Sequence, residues 1–262
     1  LPQSPQQMKQ LLMVAGFEKY YQVSRCFRDE DLRADRQLEF TQLDIEMSFV
    51  EEGDVLQLME DMFVTLVETV KPSIKLPKPF PRLSYDEVLE RYGTDKPDIR
   101  FGLELRDLSD IVAGSEFGVF RSAIKGGGKV RGLCAPGCGA YARKQLDELI
   151  DLSKLFGAKG LVALALVEDP GGLAVDKASS AAAKFISADE IRKMADRLGA
   201  KAGDLLLIVA DKAGVVNKVL DQLRREMGRR LGLIDRNTLA LAFVVDFPLF
   251  EWKEEEKRWQ AA

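Results

Sequence analysis

The feature that most limits what this chain can fold into is an alternation of helical and strand patterns in its second half. Ser187 and Glu190 stand three residues apart at the start of one helical segment, which is the spacing of a capping box. The predicted elements are a helix over 141–156, a strand over 160–168, a helix over 187–198, a strand over 204–210 and a helix over 213–231. Such a set can bury a core of its own, so we predict an α+β domain over residues 101–232.

The segments on either side of this domain indicate a second domain that the chain leaves and re-enters. The run 238–252 is apolar on both faces over most of its length, which predicts a long strand in the middle of a covered sheet. We therefore predict that residues 1–100 and 233–262 share one domain and that residues 101–232 are inserted into it.

The first hundred residues contain three helical patterns and one pair of strands. In the first helix Ser4 is placed to cap, Pro5 suits the first helical position, and the apolar stripe consists of Met8, Leu11, Leu12 and Ala15. The predicted elements are a helix over 4–16, strands over 20–28 and 40–50, a helix over 53–70 and a helix over 85–92.

A highly charged loop joins the two strands, and polar residues alternate with apolar ones on both sides of it. Gln42, Asp44 and Glu46 share one face of the second strand, and we expect Gln22, Ser24 and Arg28 to lie beside them. The opposite, apolar face is expected to pack on helices. The polar face is either the wet side of a half-solvated sheet or a floor for a ligand, with Arg28 positioned to bind phosphate or carboxylate.

Composition excludes several classes of function. The chain has no histidine, which removes Ser–His and Cys–His catalysis within it. Its net charge of −4 does not indicate nucleic-acid binding, although a local basic patch can act against an acidic average. No apolar run approaches the roughly 18 residues of a membrane span. The three cysteines favour a reducing cytoplasm, and a first residue other than Met favours an incomplete chain.

Three further patterns admit two interpretations each. Lys125–Lys129 superficially resembles a phosphate loop, but its spacing favours a flexible hairpin turn. Cys134 and Cys138 form either a poor zinc site or, more simply, two free thiols. The cluster Arg224, Arg225, Arg229 and Arg230 either contacts a nucleic acid or complements the dipole of a helix end, and the sequence favours neither.

The hairpin resembles a known family. Phe27–Glu30 followed by Glu39–Asp44 resembles motif 2 of class II aminoacyl-tRNA synthetases, and the run CFRDEDLRADRQLEFTQLDIE resembles the bacterial aspartyl-tRNA synthetases. Upstream, QSPQ with Lys9 is similar to that family's aspartate-binding segment. RYGTDKPDIRFGLEL resembles the entry to its inserted GAD domain, RKQLDEL and FGAKGL resemble that insertion, and VVDFPLFEW resembles the strand where the catalytic domain resumes. These segments cover essentially the whole chain in the family's order.

The resemblance implies an antiparallel catalytic sheet that joins L-aspartate to ATP and then transfers the aspartyl group to the 3′ end of tRNA(Asp), with tRNA(Asn) left open. It implies that Arg28 is catalytic and bridges the two substrates. The implied aspartate-binding residues are Ser4, Gln6, Lys9, Arg28 and Asp44, with Asp44 suited either to the substrate ammonium group or to orienting Lys9. The implied ATP-binding residues are Arg28, Asp29, Glu30, Gln37 and Phe40, with Phe40 stacked on adenine. Arg33 and Arg36 are implied to meet the acceptor end of tRNA.

The resemblance also sets expectations about what lies outside this sequence. Motif 1, motif 3, most Mg²⁺ ligands and the anticodon domain are not recognisable here, so we expect a fragment of a homodimeric, cytoplasmic ligase that forms no adenylate alone. The alternative is a non-catalytic fragment or paralogue that binds tRNA or protein through its inserted domain. One departure is Leu38, where the family usually has proline, which is expected to loosen the loop without removing a ligand.

Overall fold

The structure is a computed structural model that describes residues 2–30, 36–169, 172–175, 181–253 and 256–261. It divides between Leu66 and Val67 into two compact units. The helices are α1 Gln6–Val14, α2 Glu52–Val70, α3 Tyr85–Tyr92, α4 Gly118–Lys125, α5 Arg143–Leu155, α6 Ala188–Leu198 and α7 Ala213–Arg230, with a 3₁₀ turn at Ala181–Lys184. The strands are β1 Lys19–Phe27, β2 Glu39–Met47, β3 Arg82–Ser84, β4 Arg106–Asp107, β5 Lys129–Ala135, β6 Val162–Asp169, β7 Gly172–Val175, β8 Leu205–Asp211, β9 Phe243–Val245, β10 Phe250–Lys253 and β11 Arg258–Ala261.

The second unit contains a five-stranded antiparallel sheet in the order β4-β5-β8-β6-β7. Successive residues of β8 serve opposite faces, so Leu207 packs into one core cluster with α5 and α7, while Ile208 packs into another with α4 and α6. Both faces are covered, which explains why β8 is apolar without alternation. The mixed α/β architecture with antiparallel sheets agrees with the predicted class, while the predicted inserted domain stays a prediction.

Most elements with strong periodicity lie where the sequence predicted them. The observed α2, α3, α5, α6 and α7 and strands β6 and β8 begin and end within about two residues of the predicted bounds. The capping box is formed, since the backbone N–H of Glu190 donates to Ser187 Oγ at 3.2 Å and the N–H of Ser187 donates to Glu190 Oε2 at 2.7 Å.

The long central strand predicted over 238–252 is wrong. The segment instead contains a single bridge from Thr238 to Lys75, the half-buried strand β9 at Phe243–Val245, parallel to β3, and the start of β10. Asp246 then adopts a φ of 58°, and Pro248 follows, which together end the strand because neither continues extended pairing. The chain resumes in the exposed β10–β11 hairpin.

The first helix also differs from its prediction. It begins at Gln6 with Pro5 at the N-cap, and no side chain caps it, so Ser4 is not a cap. Met8 and Leu11 of the predicted apolar stripe are exposed, and the buried residue of this helix is Lys9. A polar contact, described below, therefore orients the helix.

The Gly126–Gly128 turn connects α4 to β5 instead of closing a hairpin. A Cβ on Gly128 would lie 2.5 Å from the carbonyl oxygen of Asp211, so the turn is glycine because the backbone of β8 passes close to it. The cysteines are free thiols, and burial together with Asp204 raises the pKa of Cys134 to about 12. Within the described ranges no three His, Cys, Asp or Glu side chains gather as a metal site, and no helix has the length and apolar character needed to cross a membrane.

Two buried arginines fix the region between α3 and α7. Arg224 is fully buried and donates to the carbonyls of Asp98, Phe101 and Gly102 at 2.7–3.1 Å. Its guanidinium carbon lies 4.2 Å from the Phe101 ring centroid and 4.7 Å from that of Tyr92. Burial lowers the pKa of Arg224. The interpretation as a nucleic-acid contact is therefore wrong for this residue, because its guanidinium is fully buried and its Nε and Nη2 already donate inside the fold.

The other members of that arginine cluster bind acids of the same unit. Arg229 and Arg230 both pair with Glu226, and Arg230 also reaches Glu148 at 3.0 Å. The second buried arginine, Arg131, donates to the carbonyls of Leu89 and Glu90 at the end of α3. It thus ties the end of α3 to the large sheet.

Replacing Gly93 with alanine is expected to destabilise the second unit by about 2–3 kcal/mol, because the strain of a left-handed backbone and the crowding of the new Cβ add together. Gly93 ends α3 at a φ of 75°, and a Cβ there would lie 2.6 Å from the carbonyl oxygen of Asn217 in α7. Gly199 is the matched control, because it ends α6 at a φ of 62° with open space around it. Urea unfolding should show a clearly larger loss for Gly93→Ala than for Gly199→Ala, and equal losses would contradict the close approach.

Candidate functional site

The β1–β2 hairpin of the first unit has the register that places its polar residues together. Gln22 lies opposite Asp44, and Ser24 lies opposite Gln42. Glu46 pairs with Tyr20 at one end of the hairpin, whereas Arg28 follows Phe27 at the other. The predicted polar face is therefore confirmed for four residues, while Arg28 lies beyond the paired residues, with its backbone N–H bonded to the carbonyl of Leu38.

Lys9 of α1 inserts between the two acids of this face. Its Nζ donates to Asp44 Oδ1 at 2.7 Å and lies 3.0 Å from Glu46 Oε2. Lys9 is only 7% exposed and Asp44 only 5%. Because these charges are largely removed from water, their pairing is worth more than that of a surface ion pair.

The environment of Lys9 keeps it charged. Burial alone would lower its pKa, but hydrogen bonds and charge attraction from Asp44 and Glu46 outweigh burial, so the pKa of Lys9 is raised. The three groups together carry one net negative charge. Asp44 Oδ2 is buried without a hydrogen-bond partner among the described residues, so it is an acceptor available to a cationic group.

The predicted division of the hairpin into a packed apolar face and an open polar face is wrong. Helix α1 packs on the polar face, through Lys9 and through a 3.1 Å contact of Ser48 Oγ with Met13 Sδ. The apolar face is exposed within the described part of the chain, with Tyr21 77% and Val23 67% accessible. The ion pairs of Lys9 explain why α1 packs on the polar face. Burying an unpaired charge is costly, so the helix that buries Lys9 packs where Asp44 and Glu46 lie.

Near the charged loop, the same face presents an aromatic ring beside a cation. Phe40 lies on the face of Gln42 and Asp44, and the Arg28 guanidinium carbon lies 5.0 Å from its ring centroid. Arg28 is exposed, and its backbone N–H donates to the carbonyl of Leu38 at 2.9 Å, which closes the base of the loop. Asp44 lies four positions after Phe40, about 13 Å along the strand. The face thus offers an aromatic ring with a cation at one end and a lysine–acid cluster at the other.

The remaining predicted residues surround this face. Glu30 binds Arg36, with Nη1 to Oε2 at 3.0 Å. Asp29 and Gln37 are exposed in the loop, Gln6 is exposed on α1, and Ser4 is half-buried before it. Arg33 lies outside the described residues.

Sequence reasoning missed two contacts of this site. Glu46 was placed on the polar face but without a partner, and it proves to be the second acid on Lys9. Cys26 is fully buried, and its Sγ lies 3.4 Å from Gln42 Oε1, so it helps to orient that amide. Asp44 and Glu46, two residues apart on one face of the strand, were the sequence signal for a buried cation such as Lys9. Nothing in the sequence pattern singled out Cys26.

Comparison with known proteins gives consistent results over the full length. The sequence profile of the family described as tRNA synthetases class II (D, K and N) matches residues 1–260. The aspartate–tRNA(Asp/Asn) ligase of Dehalococcoides mccartyi strain CBDB1 is 56% identical over 264 residues, which cover 100% of this chain and 44% of that protein. Those of Thermoanaerobacter sp. strain X514 and Moorella thermoacetica are 54% and 53% identical, over 43% and 42% of their lengths. The chain thus spans less than half of each curated relative.

Proposed function

Because this chain belongs to the class II tRNA synthetases of the D, K and N group, we propose that it forms the part of an aspartate–tRNA ligase that holds aspartate beside ATP. The observation that carries this proposal is the polar face of the hairpin, where Lys9 is buried against Asp44 and Glu46. The names of the relatives support the same substrate class.

Aspartate is proposed to bind at the Lys9 end of the face. Lys9 would attract the side-chain carboxylate, while the unpartnered Oδ2 of Asp44 would accept from the substrate ammonium group. Ser4 and Gln6, which lie just before and at the start of α1, are proposed to complete this end. A substrate without the second carboxylate would leave the lysine less well satisfied, which is the basis proposed for selectivity.

ATP is proposed to bind at the Phe40 end, with adenine on the ring and with Asp29, Glu30 and Gln37 as further contacts. Arg28 would lie between the two substrates and counter the charge that develops when the aspartate α-carboxylate oxygen attacks the α-phosphorus. In that step a carboxylate–phosphorus bond forms, the bond to pyrophosphate breaks, and aspartyl-adenylate results. The step depends on positioning and charge, so it needs no histidine.

Mg²⁺ would accompany ATP as part of that substrate. The described residues gather no three acids as ligands, so no step is assigned to the ion here. The aspartyl group would then pass to the 3′ end of tRNA(Asp), with tRNA(Asn) as a second acceptor suggested by the relatives' names. Arg36, now bound to Glu30, and Arg33 are proposed to meet that acceptor end.

Beyond the active site, three statements complete the proposal. Residues 101–232 form an inserted GAD-type domain between catalytic segments 1–100 and 233–262. The whole ligase is a homodimer, and it acts in the cytoplasm. All three rest on membership of the family, not on a contact in the structure.

Replacing Arg28 with alanine is expected to weaken binding of a non-hydrolysable aspartyl-adenylate analogue about 30-fold, roughly 2 kcal/mol, because a charge-assisted contact to phosphate is lost. Isothermal titration of the 262-residue chain measures this. Arg25→Ala is the control, since Arg25 is an exposed arginine of β1, three residues before Arg28, and is paired with Glu39 at 3.2 Å. Equal affinities for Arg28→Ala and the unaltered chain would contradict the role of Arg28, and absence of any binding by the unaltered chain would favour a non-catalytic function.

A further inference from the structure

A cleft of about 860 Å³ opens in the second unit, far along the chain from the hairpin. Strand β6 pairs with β8 only as far as Ile208, which lies opposite Val162, the first residue of β6. Strand β8 continues for three more residues, to Asp211, and there Gly160 and Leu161 line the cleft in place of a paired strand. The cleft thus lies between this end of β8 and helices α4 and α5.

The walls of the cleft are mostly apolar. Ile208 and Leu146 are buried at its base, and Phe117 and Phe185 form a stacked pair with ring centroids 6.1 Å apart. Phe185 is more than half exposed despite its size. Clefts of roughly 300–1,000 Å³ with apolar walls and few polar groups are the usual form of small-molecule sites.

The charged groups that line the cleft are predominantly basic. They are Arg143, Lys159, Lys212 and Asp211. Arg143 is paired with Asp147 at 3.0 Å, and Asp211 accepts the backbone N–H of Lys212 at 2.8 Å. In the described part of the chain neither the Lys159 nor the Lys212 ammonium group has a carboxylate partner within 4 Å, whereas the Arg143 guanidinium of the same cleft does.

We propose that this cleft binds an amphipathic organic anion, with an aromatic or branched apolar body between Phe117, Phe185 and Ile208 and one carboxylate, sulfonate or phosphate group at Lys159 and Lys212. Apolar walls alone would accept any small hydrophobic molecule. The two unpaired ammonium groups at the rim select an anion, because a charged head group gains a charge-assisted contact there while remaining partly solvated. This site is independent of the proposed aspartate and ATP site.

Two fluorescent probes that share one apolar body test the proposal. 1-Anilinonaphthalene-8-sulfonate carries the anionic group, and N-phenyl-1-naphthylamine lacks it. In the 262-residue chain the double variant Lys159→Gln/Lys212→Gln is expected to weaken binding of the sulfonate about tenfold, roughly 1.4 kcal/mol, and to leave the neutral probe unchanged. Both lysines are exposed, so we expect the substitutions to leave the stability of the fold unchanged.

Lys201→Gln is the matched control. Lys201 is an exposed lysine that precedes β8, whereas Lys212 follows it, so the two lie at opposite ends of one strand. The proposal is overturned if the double variant binds the sulfonate as well as the unaltered chain does, or if Lys201→Gln causes the same loss. It is equally overturned if the neutral probe weakens as much as the sulfonate, because the loss would then not concern charge.

Discussion

Replacing Arg224 with methionine is expected to lower the free energy of unfolding of the second unit by about 3–5 kcal/mol, since a buried charged donor is lost from its hydrogen-bonding network. Methionine fills much of the volume but cannot donate to the carbonyls of Asp98, Phe101 and Gly102. It also removes the cation from between the Tyr92 and Phe101 rings. Urea unfolding followed by circular dichroism measures the change.

Arg225 provides the control for this prediction. It neighbours Arg224 on α7 but is exposed, with one loose contact to Asp221 at 3.8 Å. Arg225→Met should therefore change the free energy of unfolding by less than about 1 kcal/mol. If the two variants unfold at the same urea concentration, Arg224 does not hold the 98–102 segment as described.

Replacing Lys9 with methionine is expected to weaken aspartate binding about a thousandfold, roughly 4 kcal/mol, which lies within the range for breaking a buried charge pair. The variant loses the proposed partner of the substrate carboxylate. It also leaves Asp44 and Glu46 close together without a cation, so the site repels an anionic substrate. Titration with aspartate measures the loss, and Lys19→Met, at an exposed lysine of β1, is expected to leave the affinity unchanged.

The dependence of stability on pH gives the same prediction a second readout. The pKa of Lys9 is raised by folding, so its ion pairs stabilise the folded state fully below the ordinary lysine value of 10.5. Their contribution is lost as the pH rises through the higher folded-state pKa. Above about pH 10.5 the unaltered chain should lose stability that Lys9→Met never had. The role of Lys9 would be contradicted if the stabilities of the two proteins changed in parallel with pH. It would also be contradicted if Lys9→Met bound aspartate within fivefold of the unaltered chain.

The second unit was largely predictable because its segments obey local rules. Helices such as α6 and α7 have regular apolar spacing, a capping box or a terminal glycine, and each of these signals acts within a few residues. The strand β8 was recognisable from its short, uninterrupted apolar run. Long-range packing does not have to be known for such elements.

The long strand over 238–252 failed for a local reason, at Asp246 and Pro248, but the other errors occurred where a distant partner decides the outcome. Nothing local in α1 shows that Lys9 is buried and that Met8 is not, because the acids that attract the lysine lie some 35 residues away. Arg224 likewise forms an ordinary basic cluster in the sequence, and only the approach of the 98–102 segment turns it into an internal donor. At the hairpin, alternation identified the polar face, but the resemblance to a known family was needed to suggest ligands for it.

The parallel pairing of β3 with β9 has a consequence for the order in which the chain can fold. These strands lie about 160 residues apart in the sequence, yet only three residue pairs join them. Closing so long a loop early is entropically unfavourable, and each halving of the free length reduces that cost by about 0.6 kcal/mol. We expect the five-stranded sheet to form first and bring Tyr92 of α3 against Arg224 of α7, after which β9 needs only a short search to reach β3. Slow folding of that sheet would thus delay completion of the neighbouring segments, even though they contribute none of its strands.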